Sequence, residues 1–323
     1  MDADRGTSRE RPLRIVAFGG GTGLPLLLRG LRGAGVFASA VVTMADDGGS
    51  SGRLRDELGI APPGDVRRCL VALAGRRRLA EVFDYRFEAG AELRDHSVGN
   101  LIIAALADIS GGFAEGVAQA GRLLRIDGEV HPATTESVTL IAHHADGTVS
   151  HGESSTRHAL APIRRIAHEP AGTPAPHVVL DAVAAADAVV LSAGSLFTST
   201  IASLLGAGVP DALAAFRGPV IYTANVMTQP GETVGFTAAD HVRAIVEHVG
   251  AVVTDVVVSC ERLPDAVVAR YRAEGGEPVE LDRAAIERLG VRVHETPLLR
   301  SPIGAQVRHD PGRLARAVCA LVP

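Results

Sequence analysis

The sequence lacks lysine and tryptophan altogether, and only 3% of its 323 residues are aromatic. Without lysine the chain cannot form a Schiff base through a side-chain amine, and it cannot supply the lysine of a Walker A phosphate loop. The scarcity of aromatic rings argues against a stacking platform for single-stranded nucleic acid. All 32 basic residues are arginines. A phosphate ligand would therefore be neutralised by backbone N–H groups, a metal ion or the planar guanidinium of arginine.

Cysteine is also scarce, because Cys69, Cys260 and Cys319 stand far apart and no CxxC spacing occurs. This pattern argues against a disulfide framework or a zinc cluster and is typical of thiols in a reducing cytoplasm. Residues 1–11 are polar and lack the apolar core of a signal peptide, so we expect a disordered tail. The later apolar runs are short, which predicts no membrane span. The net charge of −5 argues against a nucleic-acid partner.

The N-terminal part of the chain contains the pattern of a βαβ unit. Residues 13–18 form an apolar run, residues 19–23 a glycine-rich turn, and residues 24–31 an apolar stretch with helical character. Residues 40–44 give a second apolar run. A strand, a helix and a strand within about 30 residues predict a right-handed crossover between parallel strands.

The rest of the chain continues this alternation. Further helices are predicted at 65–75, 79–87, 98–110 and 112–124, and further strands at 162–168, 188–191, 219–223 and 255–259. Alternating segments on either side of Ala-Asp-Gly at 145–147 predict a β-hairpin. We therefore expect a single α/β domain at 12–323 with a mostly parallel sheet and an inserted helical and hairpin region at about 64–169.

The first candidate site is Gly-Gly-Gly-Thr-Gly at 19–23, which ends the first strand and opens the first helix. The N–H groups of such a loop and the positive end of the helix dipole favour a phosphate. The candidate ligand-binding residues are Gly20, Gly21, Thr22 and Gly23. The spacing is not that of GxGxxG, because Leu24 stands at the last glycine position, nor that of a Walker A loop. The alternative is a tight strand–helix turn without a ligand.

The second candidate site is ADDGGSSGRLR at 45–55, after the second predicted strand, where ligands of open α/β sheets bind. Either Asp46 or Asp47 could bind a ribose diol, and the pair could hold Mg²⁺ against a diphosphate. The side chains that could contact phosphate are those of Ser50, Ser51, Arg53 and Arg55. The alternative is an ordinary Asp-Asp-Gly-Gly turn.

The third candidate is PPGDVRR at 62–68. Asp65 is a candidate N-cap, which would explain its presence without any ligand. Arg67 and Arg68 in the first helical turn oppose the helix dipole, so a bound anion would favour them. The two interpretations are evenly balanced.

Three more groups of polar residues accompany predicted helices or strands. In HSVGN at 96–100, His96 and Asn100 flank Ser97, a candidate N-cap, and a lone histidine is more often structural than catalytic. Gly194 and Ser195 follow the strand at 188–191 in the manner of the first site, with N-capping by Ser195 as the alternative. After the next strand, the polar side chains that could read a base edge or sugar hydroxyls are those of Asn225, Thr228 and Gln229.

These motifs together resemble the YvcK-type gluconeogenesis factors, also called the CofD-like family. The resembling blocks are GGGTGLPLLLRGL, VTMADDGGSSGRLRDELGIAPPGD, HSVGNLIIAAL, AGSLFTSTIASLL and NVMTQPGETVGFTAADHV. The resemblance implies a Rossmann-like three-layer α/β/α fold that binds UDP-sugars such as UDP-N-acetylglucosamine. It also implies a role that links central carbon metabolism to peptidoglycan precursor supply and cell shape. It brings no established reaction.

The resemblance also points to residues near the end of the chain. Tyr271 and Arg308 match family positions associated with UDP-sugar binding. Tyr271 can stack on a uracil or sugar face, and Arg308 can clamp a diphosphate. From the residues alone, each would be an ordinary surface residue. We count Asp65, Arg67, His96 and Asn100 among the ligand-binding candidates and assign Mg²⁺ to the Asp-Asp pair.

The expected ligand is thus a nucleotide-sugar, the expected partner an enzyme of amino-sugar synthesis, and the expected assembly a cytoplasmic homo-oligomer. The alternative is a Mg²⁺-dependent transferase similar to the 2-phospho-L-lactate transferases, which share the GGTG loop and the Asp-Asp pair. Residues 48–59 follow the YvcK pattern, which favours the regulator. The chain departs from the family pattern with Ser-Ala-Gly-Ser at 192–195 in place of Gly-Pro-Gly-Ser. It also departs at Pro311, where relatives carry a phosphorylatable threonine.

Overall fold

A sheet of seven parallel strands forms the centre of the fold. It belongs to a computed structural model that describes residues 11–88, 93–94, 96–159, 161–300, 303 and 306–323. The strands are β1 (Arg14–Gly19), β2 (Phe37–Val42), β3 (Gly128–Pro132), β4 (Thr139–His144), β5 (Val149–His151), β6 (Ile163–Glu169), β7 (Ala188–Leu191), β8 (Val220–Thr223), β9 (Asp255–Ser259) and β10 (Arg292–Thr296). The large sheet has the order β10-β9-β8-β7-β1-β2-β3, and β5-β4-β6 form a separate antiparallel sheet.

Helices cover both faces of the large sheet. They are α1 (Gly23–Gly33), α2 (Gly49–Leu58), α3 (Pro63–Leu73), α4 (Arg77–Asp84), α5 (Val98–Ser110), α6 (Phe113–Leu124), α7 (Glu153–Arg157), α8 (His177–Ala184), α9 (Val209–Ala215), α10 (Ala238–Val249), α11 (Asp265–Ala273), α12 (Arg283–Arg288) and α13 (Pro311–Cys319). Ile15 and Ala17 of β1 belong to one buried core, whereas Val16 and Phe18 belong to the other. Successive strand residues point to opposite faces, so the sheet is buried on both sides. The predicted Rossmann-like three-layer α/β/α fold is confirmed.

The order of the strands reverses between β1 and β7. From β1 the sheet continues to β2 and β3 on one side, and the chain then returns to β7 and continues to β8, β9 and β10 on the other. In such doubly wound sheets, ligands bind outside the carboxyl ends of the strands at the point of reversal. The topology therefore selects the loops after β1 and β7 as the site to inspect.

The predicted hairpin is confirmed, because β4 and β5 pair antiparallel and β6 extends them along the other edge of β4. The region at about 64–169 is not wholly separate from the large sheet, since β3 pairs with β2 as an edge strand. Sequence analysis did not predict β3, whose sequence GEVHP is short and polar. It also treated α2 as a turn, because the GSSG at its start has a low helix propensity.

The structure decides between the alternatives for three helix starts. Ser97 is an N-cap as predicted, since its hydroxyl accepts the Asn100 N–H at 3.2 Å. The N-cap interpretation of Asp65 is wrong, because Pro62 holds that position and Asp65 lies in the first turn of α3. Ser195 makes no side-chain cap bond, and the chain after it forms a π-helical turn at Leu196–Ile201.

Residues 1–10 of the predicted tail lie outside the described residues. Arg11 donates to the Asp187 carboxylate at 2.7 Å, which ties the start of the described chain to the turn before β7. In the part of the chain that the structure describes, no helix combines the length and the apolar character that crossing a membrane requires.

Candidate functional site

The loops that follow β1 and β7 touch each other where the strand order reverses. A Cβ atom added to Gly23 would lie only 1.5 Å from the carbonyl oxygen of Ala193, so a side chain cannot be accommodated there. The loop after β8 joins them through Asn225, whose side chain accepts the Gly194 N–H at 3.1 Å and donates to the Gly194 carbonyl at 2.6 Å. The ends of three neighbouring strands thus form one continuous wall.

A cleft of about 400 Å³ opens beside this wall, a volume within the usual range for small-molecule sites. The predicted site residues that line it are Gly21, Thr22, Gly23, Gly194, Ser195, Asn225, Gln229, Tyr271 and Arg308. They come from loops and helices that are distant in sequence. Their convergence is a finding of the structure, whereas ligand binding by each of them stays a prediction.

The glycine-rich loop is fixed from behind by α3. The Gly21 N–H donates to Asp65 Oδ2 at 2.5 Å. Arg68 donates through Nε to the Gly21 carbonyl at 3.2 Å and through a terminal nitrogen to the other oxygen of Asp65. A Cβ at Gly20 would lie 2.6 Å from Asp65 Oδ2, so this residue must be small. Asp65 therefore holds the loop and Arg68 in place, and the Gly21 amide is already bonded within the protein.

The two neighbouring arginines of α3 have different surroundings. Arg68 lines the cleft. Arg67 is buried and pairs with Asp84 at the end of α4. Burial lowers the pKa of Arg68, and the nearby Asp46 carboxylate opposes that effect. Arg68, rather than the predicted Arg67, is thus the arginine of this pair that can face a ligand in the cleft.

Ser50, His96 and Asn100 form a buried hydrogen-bonded cluster. The Ser50 hydroxyl lies 3.0 Å from His96 Nδ1 and accepts from Asn100 Nδ2 at 3.2 Å. All three side chains are buried, and none of them lines the cleft. The cluster joins the first turn of α2 to the start of α5, so its visible role is to fix these helices.

Other predicted site residues also make contacts within the protein. Ser51 accepts the Gly64 N–H at 3.1 Å, which connects α2 to α3. Arg55 donates to the Val138 carbonyl at 2.9 Å, beside β4. The Thr228 hydroxyl accepts the Glu277 N–H at 2.8 Å. None of Ser51, Arg55 and Thr228 lines the cleft.

The Asp-Asp pair lies between the β2 end and the antiparallel sheet. Asp46 accepts the Gly48 N–H at 3.0 Å. Asp47 accepts both the N–H and the hydroxyl of Ser154, at 2.8 and 2.7 Å. Within the described residues, no group of three or more His, Cys, Asp or Glu side chains is arranged to hold a metal ion. Mg²⁺ binding by Asp46 and Asp47 stays a prediction.

A second carboxyl–arginine pair stands close to these aspartates. Glu153, at the start of α7, accepts from Arg157, which lines the cleft. Burial raises the pKa of Glu153 to about 7, against the opposing effect of Arg157 and with smaller contributions from Asp46 and Glu232. An uncharged carboxyl still accepts the Arg157 N–H through its carbonyl oxygen.

Glu232 completes the support of the β7 and β8 loops. Its carboxyl accepts the Phe197 N–H at 3.1 Å and the Thr198 hydroxyl at 2.8 Å, in the first turn of the π-helical segment. Ser195 donates to Gln229 Oε1 at 2.9 Å, and Gln229 donates in turn to Glu232 at 3.4 Å. Burial raises the pKa of Glu232. This chain of bonds fixes the side chains of Ser195 and Gln229 at the cleft.

The far wall of the cleft comes from α11 and from the segment before α13. The Tyr271 hydroxyl accepts the Val307 N–H at 3.0 Å, which holds the aromatic ring against that segment. Arg308 is exposed and donates to Gln306 Oε1 at 3.1 Å. His309 is buried at the cleft wall, and burial lowers its pKa to about 4, so its ring is neutral near pH 7.

Among the cleft-lining residues that sequence reasoning did not select, three have a titratable side chain: Arg68, Arg157 and His309. Arg68 was considered within the PPGDVRR motif but was not chosen over its neighbour. Arg157 lies in no recognisable motif, and His309 had only its position next to Arg308 as a signal. If Val66 and Leu70 had been taken as the buried face of α3, Arg67 would have been placed nearer that face and Arg68 on the opposite side of the helix.

These observations define the class of the protein. It has a doubly wound α/β fold with a glycine-lined, arginine-bearing cleft at the reversal of strand order, which is the usual position for a phosphate-containing ligand.

Comparisons with known proteins agree with this class. The chain matches the family model described as 2-phospho-L-lactate transferase CofD over residues 15–299. It is 46% identical to the gluconeogenesis factor of Halalkalibacterium halodurans over 86% of this chain and 87% of that protein. It is 39% identical to the gluconeogenesis factor of Bacillus subtilis over 96% and 98% of the two chains. A crystal structure of a Bacillus halodurans protein aligns with a TM-score of 0.93 at 41% identity, over 96% of this chain and 100% of that one. The chain therefore belongs to the CofD family, and its predicted similarity to gluconeogenesis factors is confirmed.

Proposed function

We propose that this protein binds a UDP-sugar of the UDP-N-acetylglucosamine type in the cleft between the β1 and β7 loops. In this proposal it is a regulatory protein that links central carbon metabolism to the synthesis of cell-wall precursors and to cell shape. The observation that carries the proposal is the composition of the cleft. Tyr271 and Arg308 line the same cavity as the glycine-rich loop and Gly194, although they are far from both in the sequence.

Each part of the cleft suits a different part of such a ligand. The N–H groups in the first turn of α1, which have no partner within the helix, and the positive end of its dipole favour the diphosphate. Arg68 and Arg308 line the cleft and supply positive charge, which in this lysine-free sequence comes from arginine. The ring of Tyr271, whose hydroxyl is bonded to Val307, presents an aromatic edge or face for uracil or sugar.

The hydrogen bond made by the Ser195 hydroxyl supports a binding role rather than a catalytic one. Ser195 of the β7 loop lines the cleft, and its hydroxyl donates to the amide oxygen of Gln229. An amide oxygen does not take up a proton as a general base does. The names of the similar proteins add support for a role in carbon metabolism. A regulator of this kind acts on a partner, for which we propose an enzyme of amino-sugar synthesis.

Isothermal titration calorimetry of the full chain with UDP-N-acetylglucosamine tests the proposal. We expect saturable binding, and weaker binding of UMP and of N-acetylglucosamine 1-phosphate, each of which carries part of the ligand. The titration is run with and without Mg²⁺, which also shows whether the Asp46–Asp47 pair contributes. The absence of measurable heat with UDP-N-acetylglucosamine in the presence of Mg²⁺ would contradict the proposal.

A second candidate function is a Mg²⁺-dependent transferase resembling 2-phospho-L-lactate transferase. It is favoured by the description of the matching family and by the position of Asp46, whose charge acts on the cleft-lining Arg68. Incubation with a guanylyl-phospholactate donor, a deazaflavin acceptor and Mg²⁺, followed by mass spectrometry, separates the two functions. A phospholactyl-deazaflavin product would favour the transferase, whereas the regulator predicts no product.

A further inference from the structure

A basic side chain from the segment that follows β5 of the antiparallel sheet lines the cleft. After β5 the chain forms the short helix α7, and Arg157 at its end lines the same cavity as Gly194 and Arg68. Neither the glycine-rich motif nor the resemblance to the family points to Arg157. The inserted hairpin is therefore part of the cleft wall as well as a separate sheet.

Arg157 is anchored at the cleft by a buried carboxyl. Its guanidinium is bonded to Glu153, one turn earlier in α7. The Arg157 side chain is 55% exposed, whereas that of Glu153 is 8% exposed. A guanidinium carries several N–H donors arranged in a fork. The bond to Glu153 uses one side of that fork and orients the rest of the group for an oxyanion.

The backbone of Arg157 is fixed as well. A Cβ added to Gly231, in the loop after β8, would lie 3.0 Å from the Arg157 carbonyl oxygen. Gly231 has a φ of +79°, a conformation that favours glycine. The end of α7 and the β8 loop are therefore packed closely, and the position of Arg157 follows that of the loop that carries Gln229.

Arg68, which donates to the Gly21 carbonyl of the glycine-rich loop, is anchored in the same way. It is 32% exposed and is bonded to Asp65, whose side chain is 7% exposed. Both arginines are thus partly exposed side chains that line the cleft and are held by a buried carboxyl three or four residues away in the same helix. Two such groups around one cavity favour a ligand with more than one negatively charged group.

We propose that Arg157 is a phosphate-contacting residue of the cleft, that it grips the diphosphate together with Arg68, and that Glu153 positions it. This inference rests on the proposed function for the identity of the ligand, a nucleoside diphosphate sugar. It assigns to the inserted sheet the role of supplying one half of the diphosphate clamp.

Calorimetry with two probes, UDP-N-acetylglucosamine and inorganic pyrophosphate, tests this assignment. We expect Arg157→Ala to raise the Kd for UDP-N-acetylglucosamine about 10- to 100-fold, as for the loss of a hydrogen bond between charged groups. Arg164→Ala is the matched control, because Arg164 is an exposed arginine of β6 in the same inserted sheet. It should leave the Kd unchanged. The affinity of the wild type should also fall more steeply with added NaCl than that of Arg157→Ala.

The outcomes separate this inference from the proposed function. If Arg157→Ala binds UDP-N-acetylglucosamine as tightly as the wild type does, the inference is overturned and the proposed function stands. If the wild type binds pyrophosphate but no UDP-sugar, the proposed function fails, and the effect of Arg157→Ala on pyrophosphate binding decides the inference. If the wild type binds neither probe, both are overturned.

The positioning role of Glu153 has its own test. Glu153→Ala removes the anchor and should weaken pyrophosphate binding, whereas Glu153→Gln keeps an oxygen acceptor for Arg157 and should restore most of the affinity. A purely structural role would change the thermal unfolding of both variants without this difference in affinity. Should Glu153→Ala fail to fold, an affinity of Glu153→Gln as low as that of Arg157→Ala would overturn the positioning role.

Discussion

The strand order reverses between β1 and β7, and the sequence has polar motifs both on the β2 side and on the β8 side of this reversal. In the structure these motifs have different surroundings. On the β2 side, Ser50, His96 and Asn100 are buried and bonded to one another. On the β8 side, Ser195 and Asn225 line the cleft. β1 lies between the two sides and contributes its glycine-rich loop to the cleft.

This difference teaches that a polar motif at the end of a strand has two possible roles. A buried hydrogen-bonded cluster fixes a unique arrangement of helices, because an unpaired polar group inside a protein is costly. A polar side chain that remains at a cavity can act on a ligand. Burial, which the sequence does not show directly, distinguishes the two roles.

The largest effect is expected from a substitution that breaks the close contact between the β1 and β7 loops. In Gly23→Ala the new methyl group would overlap the Ala193 carbonyl, so the β1 and β7 loops must separate. We expect a loss of about 3 kcal/mol or more in the free energy of unfolding, together with the loss of UDP-sugar binding. Urea denaturation and calorimetry measure the two effects.

Gly33→Ala is the matched control for this prediction. Gly33 lies at the end of the same helix, and an added Cβ there would have no atom within 4 Å. The substitution should leave binding unchanged and change the free energy of unfolding by at most about 1 kcal/mol. A Gly23→Ala protein that is as stable as Gly33→Ala would show that the loops do not need their close contact.

An intermediate effect on stability is expected at Glu153. Burial raises the pKa of Glu153 from the ordinary 4.5 to about 7. The carboxylates of Asp46 and Asp47 on the β2 side and of Glu232 on the β8 side also raise this pKa. The folded protein therefore binds this proton more tightly than the unfolded chain. The contribution of Glu153 to stability is complete below its ordinary pKa and is lost as the pH rises through the folded value.

Glu153→Gln, which does not titrate, should remove this dependence. The stability of the wild type relative to Glu153→Gln should fall by on the order of 2 kcal/mol between about pH 4.5 and pH 7. His168 and His309, whose pKa values burial lowers to about 4, act in the opposite direction in both proteins and cancel in the difference. Chemical denaturation across this pH range measures it, and a constant difference would contradict the assignment.

The smallest effects are expected from one substitution on each side of the reversal. One should change the free energy of unfolding and not the Kd, and the other should change the Kd and not the free energy of unfolding. Ser50→Ala removes the two hydrogen bonds of this buried hydroxyl, to His96 and from Asn100, so we expect it to lower the free energy of unfolding by about 1–2 kcal/mol without changing the Kd for the UDP-sugar. Arg308→Ala should leave stability within about 0.5 kcal/mol and raise the Kd about tenfold or more. If Ser50→Ala weakened binding as strongly as Arg308→Ala, the comparison between the two sides would not hold.

Much of the fold follows from patterns that are local in sequence. The apolar run of β1, the glycine-rich turn and the apolar face of α1 are contiguous, and the hairpin of β4 and β5 has a clear turn signal at 145–147. The edge strand β3 was missed because its partner β2 lies some 90 residues earlier in the chain (Ser39 pairs with Glu129), and its own sequence is polar. Pairing over that distance is decided by tertiary packing.

The candidate site was predicted less completely than the fold, for a related reason. Sequence reasoning found the loops at the ends of β1, β7 and β8, because glycine and polar residues mark them. It selected Arg67 and not Arg68, because the motif alone does not show which of two side chains about 100° apart around the same helix faces the cleft. It could not find Arg157 either, because α7 has only five residues and reaches the cleft through the packing of the hairpin.

The central claim is that the cleft at the reversal of strand order holds the diphosphate of a nucleotide-sugar. A crystal structure with bound UDP-N-acetylglucosamine tests it most directly. We predict electron density for both phosphates between the loop at Gly21–Gly23 and the loop at Gly194–Ser195, within hydrogen-bond distance of an arginine. Density for the ligand at the Ser50–His96 cluster, or elsewhere on the protein, would contradict the account.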